Sequence, residues 1–172
     1  MIELPEASSI ARQLNETIIG KKIINVAAAQ HPHKFAWYYG DPQAYQGLLY
    51  GKVVDKVVRH GSFIEVMAVD ACILLAEGVN ISYFRKGEKL PSKHQLHIEF
   101  EDHSSIVGSV QMYGGLWAYP AGQYANPYYL TAKEKPDPLS DDFDEIYFNN
   151  VMSQSAKSLS LKAFLASEQR IP

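Results

Sequence analysis

A succession of short β-type segments, each closed by a tight turn, limits this chain more than any other feature. Residues 22–28, 53–58, 63–69 and 72–76 are rich in β-branched and aromatic side chains, which suit a pleated, half-buried surface. Val69-Asp70-Ala71-Cys72 fits a tight hairpin turn between two of them. Leu96, Ile98 and Phe100 alternate with His97, Glu99 and Glu101, the pattern of a strand with one buried face. Glu101-Asp102-His103-Ser104 turns that strand into residues 105–112, and Gly114-Gly115 leads into residues 116–119. About seven strands with short connections predict a two-layer antiparallel β-sandwich.

A helix precedes the strands. From Pro5 to about Ile19, Ala7, Ile10, Ala11, Leu14 and Ile18 form one apolar stripe at helical spacing, and Gly20 is placed to end it. Residues 121–138 are rich in Pro, Gly, Asn and Tyr and read as a linker. Beyond it, Ser140 is placed to cap a helix reaching about Met152, with Asp141 and Asp142 in its first turn. A second begins near Ser158 or Ser160 and carries Leu159, Phe164 and Leu165. The expected fold is therefore α+β: an N-terminal helix on a two-layer antiparallel sandwich (residues 1–120), then a linker, then two C-terminal helices (residues 139–172).

Composition narrows the function. The chain has 172 residues, 47% hydrophobic and 20% charged, enough for one cored domain with a small appendage. It has no apolar run near the ~18 residues a membrane helix needs, and Glu3 and Glu6 stand where a secretory leader would be basic and then apolar. A lone cysteine, Cys72, excludes an internal disulfide and a four-cysteine zinc site, and it suits a reducing cytoplasm. Net charge is −3, but Arg85, Lys86, Lys89, Lys93, His94 and His97 cluster along the chain, a local basic stretch able to follow phosphates.

The N-terminus carries chemistry of its own. Met1-Ile2-Glu3-Leu4-Pro5-Glu6 sets a carboxylate beside a potential free α-amine. Such an amine has a pKa of roughly 7.7–8.0 and is partly nucleophilic at neutral pH, and a neighbouring carboxyl group can move protons. The same residues also read simply as a helix start, with Pro5 in the first turn.

These six residues resemble the Met-Pro-Glu-Leu-Pro-Glu start of the formamidopyrimidine-DNA glycosylase / endonuclease VIII family. Three further segments match in the family's order: Lys93-His94-Gln95-Leu96-His97 is similar to its Lys-His-Asp-His segment, Pro138-Leu139-Ser140-Asp141-Asp142-Phe143 to the start of its helical domain, and Leu161-Lys162-Ala163-Phe164-Leu165 with Glu168-Gln169-Arg170 to its next helix. The resemblance implies DNA base-excision repair by a bifunctional glycosylase and AP lyase that removes oxidised bases. An N-terminal amine attacks C1′ of a flipped-out nucleoside and forms a Schiff base. It assigns the amine to Ile2 and proton transfer to Glu3, phosphate contacts to His94, Lys157 and Lys162, and a wedge between bases to Tyr113. It implies damaged double-stranded DNA as partner, a monomer, a cytoplasmic setting and no metal or cofactor in this chain, since the family's zinc finger would lie beyond Pro172.

The sequence also departs from the family pattern. Ile2 replaces the usual proline, Ser62 stands where the family has a strand lysine, and Gln111-Met112 stand where it has two arginines. Lys56 and Lys34 are candidates to replace the missing lysine. These changes keep open a second reading, a catalytically impaired module that binds damaged DNA or a partner. A third is a β-sandwich enzyme or ligand binder using His31-Pro32-His33 and Trp37-Tyr38-Tyr39.

Overall fold

The structure, a computed structural model, describes residues 2–154, 160–166 and 171. Helix α1 (Leu4–Ile18) comes first, followed by β1 (Ile23–Ala28), β2 (Ala36–Trp37), a 3-10 turn at Pro42–Ala44 and α2 (Tyr45–Leu49). Then come β3 (Val54–His60), β4 (Phe63–Ala68), β5 (Ala71–Ala76), β6 (Val79–Phe84), β7 (Leu96–Phe100), β8 (Ser105–Val110) and β9 (Gly114–Pro120). Three helices close the described chain: α3 (Pro127–Glu134), α4 (Glu145–Ser153) and α5 (Leu161–Ala166).

The strands form a four-stranded sheet, β1-β7-β8-β6, and a five-stranded sheet, β2-β9-β5-β4-β3. Ile23, Val26, Leu96, Ile98, Phe100 and Ile106 of the first meet Val57, Ile64, Val66, Ile73, Leu75 and Leu116 of the second in one continuous core. The α+β sandwich expected from the sequence is the observed architecture. Two strands were not anticipated. β6 has polar Asn80 and Ser82 facing out, which dilutes its apolar signal. β2 is two residues long and runs parallel to β9, so the sandwich is not wholly antiparallel.

Helix α1 buries Ala7, Ala11, Leu14 and Ile18, the stripe read from spacing. It also closes the open edge of the larger sheet. The Asn15 side chain donates to the Val57 carbonyl (2.8 Å) and accepts from the Val57 N–H (3.3 Å), occupying an otherwise bare strand edge.

The larger sheet is covered on its outer face too. Residues 121–138 contain helix α3 and are not a plain connection. Asn126 caps α3, accepting from the N–H groups of Tyr128 (2.9 Å) and Tyr129 (3.3 Å), with Pro127 in the first turn. Tyr129 and Ala132 of α3 bury themselves against Phe63, Cys72, Leu74, Trp117 and Tyr119. Helix α4 begins later than the sequence suggested. Asp144 caps it by accepting from the Tyr147 N–H (2.7 Å), while the Ser140 hydroxyl donates to the Asp137 carbonyl (2.8 Å). Ser160 caps the last helix: its Oγ accepts from the Ala163 N–H at 3.2 Å.

Candidate active-site cleft and nucleic-acid interface

The N-terminus is fixed by its second residue. The Ile2 side chain is 3% exposed and joins the sandwich core, and its backbone N–H donates to the Glu77 carbonyl at 2.6 Å. Glu3 then caps α1 in a reciprocal box with Glu6, whose carboxylate accepts from the Glu3 N–H at 3.4 Å. The Glu3 side chain is exposed.

Glu77 lies in the turn between β5 and β6, with left-handed backbone (φ 59°). Such strain at a non-glycine residue costs about 1–3 kcal/mol and persists only where surrounding contacts enforce it. The next residue shows one source of that enforcement: a Cβ on Gly78 would land on the Tyr113 carbonyl oxygen. The turn is therefore pressed against the start of β9. Between them opens a cleft of about 270 Å³ lined by Ser62, Phe63, Glu77, Tyr113 and Tyr128. Burial pushes the Glu77 carboxyl above its usual range. Among the described residues no cation lines this cleft. Lys56, expected as a substitute for the missing lysine, lies four residues before His60 on β3, about 13 Å along the strand from the turn that holds Ser62. Lys34, the other candidate, lines a neighbouring groove that shares Tyr113 with the cleft.

That groove is larger, about 700 Å³, and runs between the segment leading into β2 and the segment leading into β9. Its walls include Lys34, Phe35, Trp37, Met112 and Tyr113. The Trp37 and Tyr113 rings stack at 5.8 Å and 28°. The short parallel ladder brings them together, pairing Ala36 with Gly114 and Trp37 with Gly115, and the Gly114 N–H donates to the Phe35 carbonyl at 3.0 Å. An adjoining hollow of about 520 Å³ shares Pro32, His33 and Gln111 with the groove and adds His31 and Lys93.

His94 stands beside this hollow, edge-on to His31 (5.0 Å) and His97 (5.8 Å). Its Nδ1–H donates to the Pro91 carbonyl (3.0 Å), and the His31 Nδ1–H donates to the His94 carbonyl (3.0 Å). Burial and the neighbouring His94 push the His97 ring below its ordinary pKa, favouring its neutral form. The His33 Nδ1 accepts from the Phe35 N–H at 3.3 Å. Among the described residues no three His, Cys, Asp or Glu side chains come together to hold a metal ion. The His31-Pro32-His33 loop is instead occupied with shaping the hollow.

The structure thus brings Ser62 and Tyr113 to one cleft, ties the buried Ile2 by its backbone to Glu77 on the cleft wall, and places His94 beside the hollow that adjoins the groove. Lys162 is exposed on α5, and Lys157 lies outside the described residues. Reasoning from the sequence missed Glu77 and the Trp37–Tyr113 stack. The Glu77-Gly78 pair at the end of an apolar run was the available signal for the first. For the second, the pairing depends on a strand too short to leave a pattern.

Residues 1–149 match the sequence model of the formamidopyrimidine-DNA glycosylase N-terminal domain. The chain belongs to that family. It is 29% identical to the formamidopyrimidine-DNA glycosylase of Lactococcus lactis subsp. lactis over 171 residues, covering 96% of this chain and 59% of that protein. It is 24% identical to the Streptococcus pneumoniae glycosylase over 161 residues, covering 92% of this chain and 57% of that protein. The fold is that of the Lactococcus lactis enzyme solved in complex with abasic-site DNA, with a TM-score of 0.77 at 24% identity over 98% of this chain and 62% of the other. The chain therefore spans about three-fifths of the length of those relatives. Among its described residues no helix is long and apolar enough to cross a membrane.

Proposed function

We propose that this chain is the amine-bearing N-terminal part of a DNA base-excision repair glycosylase with AP lyase activity, acting on damaged duplex DNA. The observation that carries this reading is the Ile2 nitrogen, held 2.6 Å from the Glu77 carbonyl beside the cleft of Ser62, Phe63, Glu77, Tyr113 and Tyr128. With Met1 removed, that nitrogen is a primary amine. It adds to C1′ of the damaged nucleoside as the glycosidic bond breaks and the base leaves. Opening of the sugar ring and loss of one proton from nitrogen give the Schiff base. Glu3 carries protons during these steps, Tyr113 fills the stack behind the flipped nucleotide, and His94, Lys157 and Lys162 hold phosphates without reading sequence. Residues 139–172 are the start of a helical DNA-binding domain in this reading.

Retention of Met1 changes the chemistry. The Ile2 nitrogen is then an amide, and the free amine moves about 3.8 Å along the chain. Near-attack geometry is lost by displacements of that size, at a cost of orders of magnitude in rate. Together with Ser62 in place of a lysine, this favours a second reading, a module that holds damaged DNA without cutting it. Intact mass together with borohydride trapping on an abasic duplex separates the two. A trapped adduct that disappears on acetylating the N-terminus supports the enzyme. Salt-sensitive retention of the duplex with no adduct supports the binding module. With neither adduct nor retention, the DNA-repair reading fails.

A further inference from the structure

Trp37 carries an inference that the family assignment does not supply. Its ring is backed by Tyr113 yet is itself 42% exposed, and Phe35 and Met112 beside it are also exposed, Met112 at 73%. Among the described residues, those lining the groove and the adjoining hollow include Lys34 and Lys93 and no aspartate or glutamate, although the chain as a whole is acidic. Flat aromatic faces, one lysine in the same groove and another in the adjoining hollow match a polyanion that presents its own flat rings. A closed duplex offers its phosphates but keeps its base faces covered, whereas an unpaired strand offers both. Gln111 and Met112, standing at the mouth of the groove, have no guanidinium to fork onto a paired base or a phosphate.

We infer that the Trp37–Tyr113 face is a stacking platform for unpaired bases of single-stranded DNA, with Lys34 and Lys93 taking the flanking phosphates. The inference rests on the proposed function only in taking DNA as the partner. It requires neither a free amine nor a lesion.

The chain's tryptophans make this directly measurable. There are two, and Trp117 is buried at 8% exposure, so a ligand at the groove reads out on Trp37. A short oligothymidylate, which forms no duplex, is titrated into the full chain at low salt while tryptophan emission is followed. The expected result is saturable quenching, absent with a blunt duplex of equal length. Trp37→Phe should abolish the quenching while leaving Trp117 emission and the circular dichroism spectrum unchanged. Trp37→Ala should weaken oligothymidylate binding about tenfold, measured by anisotropy of a labelled strand. Lys34→Ala should lower the slope of log affinity against log salt by about 0.7. No quenching by the oligothymidylate, equal quenching by the duplex, or unchanged affinity in both Trp37 variants would each overturn the inference. Quenching without a borohydride adduct would instead count against lyase activity alone, and an adduct without quenching against the platform alone.

Discussion

The two faces of the larger sheet are held by different physics. Its inner face meets the smaller sheet through Ile64, Val66, Ile73, Leu75 and Leu116, side chains that need only volume and area. Its outer face meets α3 through Phe63, Trp117, Tyr119 and Tyr129, but in their midst sits Glu65, 3% exposed. Glu65 accepts from the Tyr129 hydroxyl (2.8 Å), pairs with the His60 Nε2 (2.8 Å) and lies 3.6 Å from the Lys133 Nζ. Burial alone would raise its pKa. The hydrogen bonds from His60 and Tyr129 and the charge of Lys133 outweigh burial and bring it down to about 2. Arg59 pairs with Asp137 farther along the same segment. One layer therefore tolerates any pH at which the chain stays folded, while the other is bound by ionisation. The lesson is that the connection beyond the sandwich is clamped to it as far as Asp137, not loosely strung.

The largest effect expected belongs to the inner face. Ile73→Ala should cost about 3–4 kcal/mol, equally at pH 7 and pH 4, because it removes only buried carbon. Urea unfolding at both pH values measures it, and a pH-dependent loss would break the comparison. Glu65→Gln should cost about 2–3 kcal/mol at pH 7, since His60 and Lys133 lose their charged partner. A carboxyl whose folded pKa is depressed from 4.5 to about 2 stabilises the fold above pH 4.5 and loses that contribution as pH falls toward 2. The wild-type chain should thus weaken by up to about 3 kcal/mol across that window. The Gln variant should show a visibly flatter profile, and an equally steep one would assign the acid sensitivity elsewhere.

Tyr129→Phe should cost about 1 kcal/mol by removing one donor to Glu65. Cys72 gives the sharper measurement. It lies buried beneath α3, and burial with the nearby Glu65 pushes its thiol up to about 11, so it reacts only when that layer opens. Labelling of Cys72 should run about fivefold faster in Tyr129→Phe, whereas an unchanged rate would show that α3 is held without the hydroxyl. The smallest effect, about 0.3 kcal/mol, is expected for Arg12→Ala, which breaks an exposed pair with Glu16 on α1 and touches neither face.

Legibility in the sequence followed the same division. Where one period governs a segment, the pattern sufficed. The stripe of α1, the alternation of β7 and the hairpin at Val69-Asp70 all stand where spacing put them. Where two partners compete for a residue, it did not. Asp144, not Ser140, caps α4, because the Ser140 hydroxyl is taken by the Asp137 carbonyl. Helix α3 was hidden by its own composition: its Pro- and Asn-rich surroundings read as a linker, and its eight residues bury only Tyr129 and Ala132 and leave no stripe. At the cleft and its wall, Tyr113 and Ile2 were singled out on resemblance. Glu77 was not: its Glu-Gly pair marked a turn, but only the fold shows that turn bonded to Ile2 and pressed against Tyr113.

Glu65 also guards against misassembly. Strand β5 is apolar on both sides, with Cys72, Leu74 and Ala76 facing α3 and Ile73 and Leu75 facing the other sheet, so sliding it by one residue would trade one oily set for another at little penalty. Its neighbour β4 is not interchangeable in this way. A one-residue slip there would drive the Glu65 carboxylate between the sheets, away from His60, Tyr129 and Lys133, at a cost of several kcal/mol. A single acid thus serves as the alignment mark by which an otherwise ambiguous pair of strands finds its correct pairing.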